Sequence, residues 1–258
     1  MAGNNDALIE WAYQELFGSP TGKDVLEAFP GLSVQDAHRA RAAVVARRVA
    51  AGDALAGYKI ASGWSGIPSK DARVEPVVQS LMRSGVIMQA GKYAFAGAAK
   101  VGVEAECAVL LGRDLQGPGV TVTDALAAVE GYFPAIEIVP QGGGPRNVPH
   151  RTLTGKFNGG IVLGTPLTSK HGLDIGLEGA VIRVNGVPLA TGTTVNIMGS
   201  PLVAVAEIAN RLGEAGLGLK AGMVLMTGTI TGMTPVAIGD YVEAAFSRLG
   251  TAAVHMVA

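Results

Sequence analysis

Apolar residues spaced three and four apart dominate the first fifty positions. Leu8, Trp11, Ala12 and Leu16 fall on one side of a helix that Gly18-Ser19-Pro20 closes. A second helix is predicted after Ser33, whose hydroxyl can cap Ser33-Val34-Gln35-Asp36, and runs through HRARAAVVARRVAAG to a stop at Gly52. His38 and the arginines of that segment read as its solvated face. From Tyr58 the periodicity shortens and turn residues multiply, as strands require. Asn185-Gly186 between AVIRV and VPLATG predicts a hairpin, and Leu249-Gly250 predicts a closing pair of strands. Ser200-Pro201 opens one late helix, LVAVAEIANRLGEAG. QGGGPRNVPH, residues 141–150, reads as a long loop, either plainly solvated or a lid that carries Arg146 and His150 over a site, the plain loop being the preferred reading. The pattern predicts an α+β chain, with a helical segment over 1–55 leading into a β-rich body over 56–258 in one integrated domain.

Composition narrows the classes of function. Lys plus Arg (20) nearly balances Asp plus Glu (21), so the overall charge points to neither nucleic acid nor an anionic membrane as partner. Cys107 is the only cysteine, which excludes an intrachain disulfide and a cysteine-built zinc site and fits a reducing cytoplasm. The start, MAGNNDALIEWAYQELFG, lacks the basic and long apolar regions of a signal peptide, and no run reaches membrane-spanning length. With 48% hydrophobic and 16% charged residues, the chain is expected to cover further surface by forming a homo-oligomer.

Candidate chemistry starts at VEAECAVLL. In a strand Glu104 and Glu106 share a face, while Val103, Ala105, Cys107 and Val109 take the other. Two such carboxylates must be solvated, protonated, paired with bases or bound to a cation. PAIEIV places a third acid, Glu137, in another apolar run. Three carboxylates suit Mg²⁺ or Mn²⁺ better than zinc, and an ordinary exposed strand face fits the spacing equally well. Gly22-Lys23 and Gly155-Lys156 lack the surroundings of a phosphate loop, and Gly63-Trp64-Ser65-Gly66 is one residue short of a nucleophile elbow.

Tyr58-Lys59-Ile60 after a glycine, VEAECAVLLGRDL (103–115), PAIEIV (134–139), the Asn-Gly hairpin and TGTITGMTPVAIGDYVEAAFSRLG (227–250) resemble, in order and spacing, the 2-keto-4-pentenoate hydratase and 4-oxalocrotonate decarboxylase branch of the fumarylacetoacetate hydrolase superfamily. The resemblance implies a mixed β-sheet roll with an N-terminal helical part, and a homo-oligomer, with a paralogous pathway enzyme as a further partner. It implies that Glu104, Glu106 and Glu137 hold Mg²⁺ or Mn²⁺, and that Lys59 stabilises an enolate or exchanges a proton. The expected substrate is a small 2-oxo or 2-hydroxydienoate acid from aromatic degradation, hydrated in the cytoplasm. Thr229 and Gly228, in TGTITG, are the expected substrate contacts, through a hydroxyl and turn amides.

The chain departs from the family pattern in two places. The acidic pair the family carries just before a methionine is missing from Pro76-Val77-Val78-Gln79-Ser80-Leu81-Met82, leaving Ser80, Gln79, Glu75 and His150 as substitutes. After PAIEIV, the acidic, tryptophan-bearing turn and Asp-Asn pair give way to PQGGGPRNVPHRTLTGKFNGG. Loss of a water-handling acid suits the runner-up, decarboxylation of a 2-oxo diacid, for which Arg73, Arg83 or Arg146 is the candidate for a second carboxylate. It also suits a silent metal-binding paralogue. Carbon–carbon hydrolysis ranks last, because His38 is the only histidine of the helical segment.

Overall fold

The computed structural model describes residues 2–61, 76–95, 100–141, 147–155 and 159–258. Three helices come first: α1 (Ala2–Phe17), α2 (Val25–Ala28) and α3 (Val34–Ala50). Ser33 caps α3 as predicted, its hydroxyl accepting from the Asp36 amide at 3.0 Å. Leu8, Ala12, Val25, Ala37, Ala40 and Val44 gather with Leu153 into an apolar cluster separate from the main core.

The remaining elements, in order, are β1 (Leu55–Ala61), β2 (Val77–Met82), β3 (Val86–Met88), β4 (Gly91–Ala94), β5 (Lys100–Leu111), α4 (Val122–Ala128), β6 (Val129–Gln141), α5 (Val148–Thr154), β7 (Gly160–Leu163), β8 (Thr168–Ser169), β9 (Gly179–Val184), β10 (Val187–Thr193), α6 (Pro201–Glu214), β11 (Val224–Thr229), β12 (Thr234–Val236), β13 (Tyr241–Phe246) and β14 (Thr251–Val257). A mixed nine-stranded sheet runs β2-β1-β11-β5-β6-β7-β3, with β12 added on β5 and β8 on β6. A second sheet runs β10-β9-β13-β14-β4. This is the predicted α+β class, a curled mixed-sheet roll behind N-terminal helices.

The main core follows from alternation along the two longest strands. Val103, Ala105, Cys107 and Val109 of β5 are fully buried and join Ile136 and Ile138 of β6. Ile182, Val242 and Ala252 of the second sheet and Val205, Ile208 and Leu212 of α6 complete the same cluster. The other face of β5 is thereby left to Glu104 and Glu106. Both predicted turns form. Asn185 and Gly186 have φ of 52° and 83°, the pair of positive values that a two-residue hairpin matched to strand twist requires.

Three expectations need correction. QGGGPRNVPH is not all loop: the Asn147 side chain accepts from the His150 amide at 2.8 Å and opens α5, and Pro149 fits its first turn, where no intrahelical N–H is needed. His150 is buried in that helix, its Nδ1 accepting from the Val25 amide at 3.0 Å with Trp11 against its ring. His38 and Arg41 do not belong to a solvated face: they are 4% and 9% exposed, because that side of α3 meets β2 and α6. The helix α4 has no counterpart in the sequence reading; its short apolar run starts from a capping box made by Thr121 and Asp124. Gly63-Trp64-Ser65-Gly66, Arg73, Glu75, Arg146 and Lys156 lie outside the described residues.

Candidate metal centre

Antiparallel pairing of β5 with β6 sets Glu104 directly opposite Glu137, and Glu106 opposite Ala135. The alternation predicted from VEAECAVLL therefore puts Glu104, Glu106 and Glu137 on one face, where one carboxylate oxygen of each lies within 4.8 Å of the others. Glu106 and Glu137 are buried, and Glu104 is partly so.

Lys59 comes from β1, three strands away from β6 through β11 and β5. At about 4.8 Å per strand a flat sheet would separate the two backbones by about 14 Å. Its ammonium nevertheless donates to Glu137 Oε1, because both side chains are long and the sheet curls around the cavity. Glu106 is held separately. The pairing of β11 with β5 slips between Met226 and Thr229, and Gly228, at a φ of 111°, turns its amide to donate to Glu106 Oε2 at 2.9 Å. The Gly228 N–H is thus engaged in positioning a carboxylate.

The electrostatics show an excess of negative charge. Burial first, then the charge on Glu137, pushes the Glu104 carboxyl up to about 7, although Lys59 opposes the shift. Glu106 is pushed well above the ordinary carboxylate range, by burial first and then by Glu137 and Glu104. Three buried or half-buried hard oxygen donors with one ammonium between them fit a divalent cation such as Mg²⁺ or Mn²⁺, which would favour all three carboxylates ionised. The donor set contains no sulfur or imidazole, so it does not fit a structural zinc ion.

The carboxylates line a cavity of about 170 Å³, together with Lys59, Ile60, Ala61, Gln79, Val139, Arg151, Gly228 and Thr229. Lys59, Glu104, Glu106, Glu137, Gly228 and Thr229, the residues that the family resemblance assigns to the site, all line this cavity. Thr229 accepts from the Gly232 amide at 2.9 Å, which leaves its hydroxyl proton available to donate. The substitutes proposed for the missing acids separate. Gln79 reaches the cavity, whereas Ser80, one residue on, takes the opposite face of β2 and accepts from Arg41 Nε at 2.7 Å. His150 is in the helical layer, and Arg83 is exposed and away from the cavity. Arg151 escapes the sequence reading. Its signal is the Asn147-initiated helical turn concealed in a glycine-rich stretch.

A curled mixed sheet with three acids and a lysine converging on one face defines a class of β-roll protein with a carboxylate-lined cavity suited to a hard cation. Its lineage is equally plain. The profile of the fumarylacetoacetate (FAA) hydrolase C-terminal family matches residues 78–257, and the chain belongs to that family. It is 29% identical to 2-hydroxyhexa-2,4-dienoate hydratase of Comamonas testosteroni over 94% of each chain. It is 32% identical to 2-hydroxypent-2,4-dienoate hydratase of Pseudomonas putida, over 72% of this chain and 85% of the relative. Among solved structures, 4-oxalocrotonate decarboxylase from Pseudomonas putida G7, complexed with magnesium and adipate, superposes with a TM-score of 0.87 at 24% identity, covering 100% of this chain and 98% of that one.

Proposed function

We propose that the protein is a divalent-metal-dependent lyase that hydrates 2-hydroxy-2,4-dienoates through their 2-oxo tautomers in aromatic-compound degradation. The observation that carries this reading is the meeting of Glu104, Glu106 and Glu137 within 4.8 Å, with Lys59 donating into the group. The names of the hydratase relatives support the substrate class. When bound, a Mg²⁺ or Mn²⁺ ion supplies a Lewis acid for a substrate carboxylate and its neighbouring 2-oxygen.

The chain's own groups then divide the work. Gly228 holds Glu106 in place, and Glu104 and Glu137 face each other across the β5–β6 ladder. Lys59 presents the buried ammonium of the acid face, where it can stabilise developing negative charge or exchange a proton. Thr229 offers a hydroxyl proton to the substrate, and Ile60, Ala61 and Val139 exclude water from part of the wall. Gln79 can hold a water or a hydroxyl group but cannot take its proton, since a carboxamide does not titrate in this range.

That last observation favours decarboxylation of a 2-oxo diacid as the second reading, because loss of carbon dioxide needs no water-activating acid. Purified protein with Mg²⁺ or Mn²⁺, 2-hydroxypenta-2,4-dienoate and 4-oxalocrotonate separates the two. Loss of dienol absorbance with no carbon dioxide release supports hydration. Release from 4-oxalocrotonate without hydration of the dienoate replaces it with the second reading, and turnover of neither leaves a silent metal-binding paralogue.

A cytoplasmic homo-oligomer completes the proposal. Among the described residues no helix is long and apolar enough to cross a membrane. Leu177, Met88, Ile238, Val187 and Leu189 are each more than half exposed, at 73%, 65%, 57%, 56% and 55%, and supply apolar surface for a partner subunit. Elution at the mass of a single chain would remove the oligomer.

A further inference from the structure

Arg151 enters the cavity from α5, an element that carries none of the acids. Its backbone is fully committed. The N–H donates to Asn147 O at 3.0 Å, and the carbonyl accepts from Gln79 Nε2 at 2.7 Å and from the Gly155 amide at 3.1 Å. The guanidinium is in a different situation: among the described residues it makes no hydrogen bond and no ion pair. Arg39, Arg47, Arg48, Arg183, Arg211 and Arg248 all have carboxylate partners, and Arg41 is bonded to Ser80 and to the Leu153 carbonyl. Arg83 and Arg113 have none either, but they are exposed to water. A half-buried guanidinium at a cavity wall without an acceptor loses hydration and recovers nothing until an anion arrives.

Placement indicates which anion. Three ionised carboxylates are offset by Lys59 and a divalent ion, so the centre is neutral before substrate arrives. A carboxylate that chelates with a 2-oxygen would add one negative charge and would have the ion itself as its direct partner. Arg151 stands outside that donor set, on a separate element tied to Gln79 through its backbone carbonyl, and offers the cavity a second, independent anion contact.

We propose that Arg151 receives the second carboxylate of a dicarboxylic substrate, so that the acid taken by this chain carries a carboxylate at each end. The inference rests on the metal-dependent lyase reading and deepens it, and it holds for hydration of a diacid and for decarboxylation alike. A guanidinium fork meets both oxygens of a carboxylate, which gives this position selectivity over a methyl-terminated chain of the same length.

Calorimetric titration of the full chain loaded with Mn²⁺ tests it, using 2-oxoadipate and 2-oxohexanoate, which share six carbons and differ in the terminal group. The wild type is expected to bind the diacid at least about tenfold more tightly. Arg151→Met is expected to abolish that preference while leaving the 2-oxohexanoate affinity within about twofold, which also shows that the variant is folded. Arg151→Lys is expected to keep part of the preference, since the charge remains and the fork is lost. Equal binding of the two acids by the wild type, or a preference that survives in Arg151→Met, overturns the proposal and leaves the metal-lyase reading standing. An equal loss for both ligands in Arg151→Met moves the arginine to the chelated end and overturns it too. If the wild type binds neither acid with Mn²⁺, the metal centre itself is removed, and the inference with it.

Discussion

The two faces of β1 and β2 each border a cluster of buried charge, and the clusters are balanced in opposite ways. On one face Lys59 and Gln79 look onto Glu104, Glu106 and Glu137, where acceptor oxygens outnumber the donors, chiefly the Lys59 ammonium and the Gly228 amide. On the other, Arg41 is buried with no carboxylate partner among the described residues and is satisfied by neutral oxygens: Ser80 Oγ at 2.7 Å, Leu153 O at 3.0 Å and Ser80 O at 3.3 Å. Both clusters involve buried ionisable groups, so burial alone does not distinguish a site from a structural clamp. What distinguishes them is completeness. The basic cluster finds its partners within the protein, whereas the acidic one needs more positive charge than the described residues supply.

The sharpest way to break this comparison is Glu106→Gln. The variant is expected to lose about 10³-fold of metal-dependent turnover, the scale of removing a principal electrostatic group from an active site. Its metal-free form is expected to melt no lower than wild type, because a buried carboxylate that costs stability has been neutralised. Added Mn²⁺ is expected to raise the melting temperature of the wild type and not that of the variant. Retained turnover at saturating Mg²⁺ would place the cation elsewhere.

His38 gives the next largest effect, on stability. Its pKa is lowered to about 4, by burial first and then by Arg211 of α6 and Arg41 of its own helix; Tyr58 of β1 borders the same small cavity. Between about pH 6.5 and 4 the unfolded chain therefore binds the proton that the folded chain refuses, so this contribution to stability is complete above pH 6.5 and is lost as pH falls through that window. The loss amounts to about 3 kcal/mol below pH 4. Urea titrations across that range are expected to show it, and His38→Met is expected to flatten the profile. A wild-type profile no steeper than that of the variant would mean that His38 takes its proton in the folded protein.

Arg41→Met tests whether the basic cluster is structural. Removing the guanidinium leaves two carbonyls and a hydroxyl short of a donor but also removes a buried charge, so a net loss of about 2 kcal/mol is expected in denaturant unfolding. Metal affinity, measured by Mn²⁺ titration, should remain unchanged, since Arg41 does not line the acid cavity. A weakened metal site would join the two clusters into one.

The same contrast explains what the sequence discloses. Glu104, Glu106 and Glu137 are legible because strand alternation is local and acids set in apolar runs stand out on the face it assigns them. The Lys59–Glu137 contact is not legible from spacing, since it spans three strands of a curled sheet; only the family resemblance brings Lys59 to the site. His38 and Arg41 mislead because a polar helix side looks solvated until the tertiary packing of β2 and α6 covers it. Arg151 is hidden by composition. Glycines before Asn147 suggest a loop and conceal a helix of seven residues, too short to show a period of its own.

Gln79 carries the smallest prediction and links the two halves of the cavity. Its Nε2 donates to the Arg151 carbonyl, which sets the orientation of the amide, and its Oε1 is buried without a partner among the described residues. Gln79→Ala removes both features and should cost about 1 kcal/mol of stability, as for one net hydrogen bond. Its kinetic effect is expected in KM more than in kcat, because the change loosens α5 from β2 and lets the Arg151 guanidinium drift while the acids and Lys59 stay in place. Steady-state kinetics with a diacid and a monoacid substrate distinguish the roles. A rise in KM confined to the diacid assigns Gln79 to positioning Arg151, whereas an equal fall in kcat for both assigns its free oxygen to the water or hydroxyl group at the reacting carbons.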